Sequence, residues 1–342
     1  MELAPIIVFA YDRPDHLSKT LEALAKNDLA SQSVLYVYCD GAREWDGESR
    51  ESRVESQENS QGNYITKRYG KMVCTKEEYD AYLKRIADTR KVAYEITGFK
   101  EVHVIEREKN IGLADNIVGA VTEIVNKYGR VITFEDDVVC TRGTLTYLND
   151  ALELYKNDEQ VMHISAYMYP HKVHLPLTFF YYTPFPAGGW ATWQRAWQYY
   201  NPDTVDHVQY WNRDWKKFNV LGQNHLQRQL MMNLTGELKT WYVKWYSSMR
   251  RRNGLCLYPS VSMSNNIGFD GTGETSRQKP DSFYIQNPLE YVEVKRIPIR
   301  CNRKAFRFFL HRASGHWYSK RYRKQWWNRI RTILIFWKDE KK

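Results

Sequence analysis

Four short apolar runs, each closed by polar residues, constrain this chain more than any other feature. They are residues 5–11 (Pro-Ile-Ile-Val-Phe-Ala-Tyr), 34–39 (Val-Leu-Tyr-Val-Tyr-Cys), 102–105 (Val-His-Val-Ile) and 131–134 (Val-Ile-Thr-Phe). Runs this short suit strands of a parallel sheet: 5–11, 34–39 and 131–134 read as strands buried on both faces, and 102–105 as a further short strand. Helical signals lie between them. Leu17, Leu21 and Leu24 recur at helical spacing, residues 76–97 read as a second helix, and residues 111–128 are strongly periodic up to Gly129. One more helix after Thr144 and a strand near 161–166 continue the alternation. The order predicts an α/β fold, a doubly wound and mostly parallel sheet flanked by helices.

Charge divides the chain. The net charge of +10 hides a tail, residues 300–342, with 14 Lys/Arg against 2 Asp/Glu. The remaining residues hold 36 against 38 and are close to neutral. Residues 1–299 are therefore read as the folded domain, with a nucleotide-binding half over 1–140 and an acceptor-side half over 141–299. Within it, about 42–75 is a polar insertion rich in Glu, Ser, Gln, Arg and Gly. Residues 168–260 are rich in Trp and Tyr and predict short strands and helices over one end of the sheet. In the tail, cations alternate with aromatics over 303–337, and Ile330, Ile333, Leu334 and Trp337 recur at helical spacing. That composition predicts a basic amphipathic helix lying on an anionic membrane surface. No nucleic-acid-binding motif accompanies the charge, so nucleic acid is not expected as a partner. The five cysteines show no paired spacing, and neither a signal peptide nor a run of about 18 apolar residues is evident. A cytoplasmic protein, peripheral on the membrane's cytoplasmic face, is the expectation.

In an open parallel sheet, ligands collect beyond the carboxyl ends of the strands. Three such ends carry polar clusters here: Tyr11-Asp12-Arg13, Asp40-Gly41 and Glu135-Asp136-Asp137. Three consecutive carboxylates after a buried strand repel one another unless a cation or hydrogen-bond donors compensate. Their oxygens suit Mg²⁺ or Mn²⁺, shared with substrate phosphates. Arg13 suits a phosphate or the face of a base, and Asp40 a base imide or ribose hydroxyl. Asn110-Ile111-Gly112 opens a helix whose first N–H groups favour anions. The glycine patterns of dinucleotide-binding and P-loop proteins are absent.

On these residues the chain resembles GT-A type glycosyltransferases, which use nucleotide sugars. The likeness covers most of residues 1–275, with the segments 5–24, 39–41, 111–128 and 131–137 in the expected order. The inverting β-1,2-N-acetylglucosaminyltransferase I family is similar in three places. Its Cys-Asp-Arg opening compares with Tyr11-Asp12-Arg13, its Glu-Asp-Asp motif recurs at 135–137, and its Gly-Trp segment is echoed at Gly189-Trp190. The run from Leu257 through Asn266-Ile267-Gly268-Phe269-Asp270 resembles bacterial polysaccharide-cluster transferases.

The resemblance implies a GT-A (Rossmann-like) fold and a set of roles. Arg13 would contact the diphosphate, Asp40 the base and Asp136 the ribose. Asp137 would bind the metal directly, with Glu135 beside it, and Gly189 and Trp190 would lie by the donor sugar and acceptor. The family's catalytic base lies in a Trp-Asp-Asp-Trp segment. Its counterpart, Trp241-Tyr242-Val243-Lys244-Trp245, has no carboxylate. Glu237 is the first candidate for the base, with Asp270 and Asp214 behind it.

The expected function is metal-dependent, inverting transfer of a hexosyl or N-acetylhexosaminyl group from a nucleotide diphosphate sugar, UDP-sugar favoured. The acceptor would be a glycan hydroxyl, lipid-linked, in surface polysaccharide synthesis. Two alternatives stand beside it: a sugar nucleotidyltransferase, and a non-enzymatic glycan- or nucleic-acid-binding protein.

Overall fold

The computed structural model of the protein describes residues 2–46, 71–72, 74–185, 187–219, 224–270 and 286–313. Most of the polar insertion and residues 314–342 of the basic tail lie outside them.

The first half, residues 1–140, forms as its periodicity predicts. Strand β1 (Ile6–Ala10) leads through helix α1 (Pro14–Ala25) to β2 (Val34–Cys39). The two-residue strands β3 (Glu44–Trp45) and β4 (Lys71–Met72) pair with each other at the ends of the insertion. Helix α2 (Lys76–Glu95), β5 (Glu101–Glu106), α3 (Leu113–Tyr128) and β6 (Arg130–Glu135) follow. Thr75 and Glu78 start α2 with a reciprocal capping box. Every residue of β1 is buried, as is the centre of β6. This is the burial that continuous apolar runs require.

The second half adds β7 (Val138–Cys140), α4 (Thr144–Leu154), β8 (Val161–Ser165), β9 (Thr178–Tyr181) and β10 (Trp190–Trp193). Four helices come next: α5 (Gln194–Trp197), α6 (Thr204–Trp211), α7 (Trp215–Phe218) and α8 (Asn224–Leu234). After them come α9 (Tyr242–Arg251), β11 (Leu255–Pro259), β12 (Ser264–Asn266) and α10 (Arg303–Ala313).

One eight-stranded sheet runs in the order β5-β2-β1-β6-β10-β8-β11-β9. The pairs β5–β2, β2–β1, β1–β6 and β8–β11 are parallel. Strand β10 is antiparallel to both β6 and β8, and β9 is antiparallel to β11. The fold is thus α/β with a mixed, mostly parallel sheet. From β1 the chain winds outward to β2 and β5, then returns to place β6 on the other side. This reversal is a topological switch point, where open sheets leave a crevice for ligands.

Two expectations are corrected here. Residues 168–260 do not simply cover one end of the sheet, because β9, β10 and β11 extend it. Helices α6 to α9 build a second core of Trp211, Phe218, Leu226, Leu230, Val243 and Tyr246, while α5 and the other face of α9 join the main one. The tail is not separate from its first residue either. Ala305 and Phe309 of α10 are buried, and Phe309 stacks on Tyr181 with ring centroids 4.1 Å apart. The apolar face of α10 finds enough aromatic surface on β9 to dock, leaving Arg303, Lys304 and Arg307 exposed.

Candidate active site

Two strand ends meet at the switch point. Pro14 occupies the first turn of α1 and disfavours helical geometry at Arg13, which takes φ −124° and ψ 75°. The chain therefore turns sharply after β1 and aims Arg13 across to the end of β6. Its Nη2 donates to Asp136 Oδ1 and, at 3.0 Å, to Asp137 Oδ2. Thr20 of α1 donates from Oγ1 to the Asp136 carbonyl at 2.7 Å, so the same helix grips both sides of the contact.

The charges do not balance. One guanidinium faces three carboxylates, Glu135, Asp136 and Asp137. Burial pushes the Glu135 carboxyl well above the usual carboxylate range, and the charges of Asp137 and Asp136 add to the effect. Burial also pushes Asp136 up, offset in part by Arg13. Such a cluster takes up protons, or another cation, at neutral pH. Arg13 Nη1 is buried and has no hydrogen-bond partner among the described residues.

Other segments wall the crevice. Strand β12 pairs with β7, setting Asn266 opposite Val138, and Ile267 N donates to the Asp137 carbonyl at 2.8 Å. Gly268 follows, where a Cβ would stand 2.1 Å from Asp137 Oδ2 and 3.0 Å from Arg13 Nη1. Only glycine lets this segment lie against the pair. The glycine turn before β10 is equally close: Gly189 has φ +82°, and a Cβ there would meet the Phe134 ring at 2.4 Å.

The remaining candidates fall into two groups. Arg13, Glu135, Asp136 and Asp137 converge, and Gly189 lies beside them through Phe134. Asp270, at the end of the 266–270 segment, pairs with His16 of α1 at 3.1 Å. Asp40, Asn110 and Gly112 also converge, but on one another. Asp40 Oδ1 accepts from Gly41 N at 2.9 Å and Ile111 N at 3.0 Å. Its Oδ2 accepts from Asn110 Nδ2 at 3.1 Å and Gly112 N at 3.0 Å. A carboxylate has about four acceptor directions, and here the chain fills them. The anion at the approach to α3 is the protein's own Asp40, which in this structure pins β2 to that approach and has no acceptor direction left for a base.

Tyr11 shares its hydroxyl with Tyr82 of α2. Trp190, expected by the donor sugar, lies in the core, stacked on Trp241 at 5.2 Å and on His163 at 5.0 Å. Glu237 is exposed between α8 and α9, accepting from Thr235 Oγ1 at 2.8 Å. Asp214 caps α7. Two residues of the site had no role assigned from sequence, Thr20 and Asn266. Thr20 reads as an ordinary helix residue, and for Asn266 the signal was only its place in the Asn-Ile-Gly-Phe-Asp run.

No protein-family model matches the chain, and no curated protein matches it. Solved structures with related backbones include the galactosyltransferase LgtC with donor and acceptor sugar analogs. It is 11% identical over 71% of this chain and 70% of its own, at a TM-score of 0.34. S. aureus TarS is 14% identical over 51% of this chain, at a TM-score of 0.27, and this chain spans 23% of its length. UDP-glucose pyrophosphorylase with UDP-glucose is 8% identical over 78% of this chain and 94% of its own, at a TM-score of 0.36. Likeness at this level carries no inference about activity.

The geometry of Asp40 makes a prediction. Asp40→Ala strands three backbone N–H groups and one side-chain amide, and should cost about 3 kcal/mol. Urea unfolding would measure it, and an unchanged midpoint would contradict the pinning role.

Proposed function

We propose that the protein is a glycosyltransferase of GT-A type, transferring a sugar from a nucleotide diphosphate sugar to a hydroxyl of a glycan. The observation that carries this reading is the acidic turn after β6, opposed among the described residues by Arg13 at the topological switch point. A nucleotide diphosphate and a divalent cation complement such a site together.

The residues fit a hard cation. Their donors are carboxylate oxygens, and the buried cluster is short of positive charge. Among the described residues, no group of three or more His, Cys, Asp or Glu forms a ready-made metal cage. Mg²⁺ and Mn²⁺ in nucleotide sites use one or two carboxylates and take the rest from phosphates and water. Asp137 is the ligand in this reading, with Glu135 behind it. When bound, the ion would offset the negative charge that develops on the leaving nucleoside diphosphate.

The chain's own groups do the rest. Arg13 exchanges part of its contact with Asp137 for a phosphate oxygen and offers Nη1 as a further donor. Inverting transfer needs a base within hydrogen-bond reach of the acceptor hydroxyl. Of the proposed bases, Asp270 lies two residues from Gly268, on the segment that touches Asp137, and His16 holds it. Glu237 stands exposed on a separate loop. Asp270 is therefore the base in this reading, and the donor is a UDP-sugar by family resemblance.

The lipid-linked acceptor and the anionic membrane surface rest on the basic tail. Helix α10 turns Arg303, Lys304 and Arg307 outward, and residues 314–342 carry nine more Lys/Arg. Each cation near an anionic surface adds about 1 kcal/mol. No helix among the described residues is long and apolar enough to cross a membrane.

Two experiments test the proposal. Asp137→Ala should lower metal-dependent release of nucleoside diphosphate from the donor by about 10³-fold, as loss of several kcal/mol of charge stabilisation requires. Unchanged turnover would overturn the metal assignment, and release of pyrophosphate from a nucleoside triphosphate and a sugar phosphate would favour a nucleotidyltransferase. Truncation after Ala313 should release the protein from anionic phospholipid vesicles. Undiminished cosedimentation would contradict the membrane role.

A further inference from the structure

Asn266 ties its own segment to two others at the site, the acidic turn and the glycine turn at 187–189. Its Nδ2 donates to Asp137 Oδ1 at 3.0 Å and to the Ala187 carbonyl at 3.1 Å. Its Oδ1 accepts from Gly268 N at 2.8 Å. The side chain is buried and its backbone is fixed by pairing with Val138. The next residue's N–H holds the Asp137 carbonyl. Asn266 therefore grips the acidic turn by both backbone and side chain.

The consequence falls on the two oxygens of Asp137. An aspartate at a strand end turns freely about its last bond, which exchanges the oxygens. The amide donor on Oδ1 fixes the carboxylate plane and commits that oxygen. Oδ2 then faces Arg13 at 3.0 Å, beside the Cβ-free surface of Gly268. Groups that orient a metal ligand in this way are typically worth about 10–100-fold in metal affinity.

We infer that Asn266 is a positioning residue, which holds Asp137 so that Oδ2 is the oxygen presented to the divalent cation. This rests on the metal reading above. A plain structural staple, tying the glycine turn at 187–189 to the 266–268 segment, would use the same hydrogen bonds but would not discriminate between metal-dependent and metal-free binding.

The test uses the full chain with Mn²⁺ and UDP as probes. Wild type and Asn266→Ala are compared for UDP affinity by calorimetry with and without Mn²⁺, and for Mn²⁺ affinity by electron paramagnetic resonance. Asn266→Ala should weaken Mn²⁺ binding in the presence of UDP by about 10–100-fold. Metal-free UDP affinity should stay within about twofold of wild type, because Asn266 acts through the metal ligand. Equal losses with and without Mn²⁺ would overturn the inference in favour of a staple, as would unchanged Mn²⁺ affinity. If wild type shows no Mn²⁺-dependent gain in UDP affinity, the metal reading fails and the inference with it. Should Asn266→Ala not fold, wild type crystallised with Mn²⁺ and UDP decides. The ion on Oδ2 with Asn266 still on Oδ1 supports the inference, and the ion on Oδ1 overturns it.

Discussion

Arg13 bridging Asp136 and Asp137 is the contact on which the rest of this structure depends. It joins the carboxyl ends of β1 and β6, the two strands on either side of the sheet's reversal. Breaking a buried pair of this kind costs about 3–5 kcal/mol, because it leaves an uncompensated charge. The surrounding chain is arranged to keep the contact. Pro14 turns Arg13 toward it, Thr20 holds the Asp136 carbonyl, and Asn266 holds Asp137. Yet one guanidinium does not neutralise three carboxylates. Among the described residues the site forms with less positive than negative charge, and this is the observation on which the proposed cation and diphosphate rest.

The glycines beside the pair show how closely the backbone must approach. Gly268 lies where any side chain would strike Asp137, and Gly189 lies where one would strike Phe134. The aromatic residues serve the fold more than the site. Trp190 packs between Trp241 and His163, and Phe309 closes the aromatic layer over β9.

The first half of the fold was legible because its strands are continuous apolar runs and its helices are periodic. The second half was not, since β9 and β10 are four residues long and rich in aromatics. Their membership of the sheet is decided by pairing with distant strands, such as Trp190 with Thr133 and with Ser165. The same limit applies at the site. Arg13 and the acidic turn could be read from their places after buried strands. The donors that saturate Asp40 come from residues 70 positions away or more, apart from its neighbour Gly41. Asn266 reaches Asp137 across 129 positions. No local pattern announces such contacts. Of the tail only its start is described, where Ala305 and Phe309 of α10 pack on the body; the amphipathic helix expected around residues 330–337 lies outside the described residues.

The central claim is that the crevice between β1 and β6 binds a nucleoside diphosphate and a divalent cation together. The most direct measurement is a crystal structure of the protein with UDP and Mn²⁺, using the anomalous signal of manganese to locate the ion. The expected result is an anomalous peak in contact with Asp137 and diphosphate oxygens within hydrogen-bond reach of Arg13. A nucleotide bound elsewhere on the sheet, or bound here with no manganese beside Asp137, would contradict it.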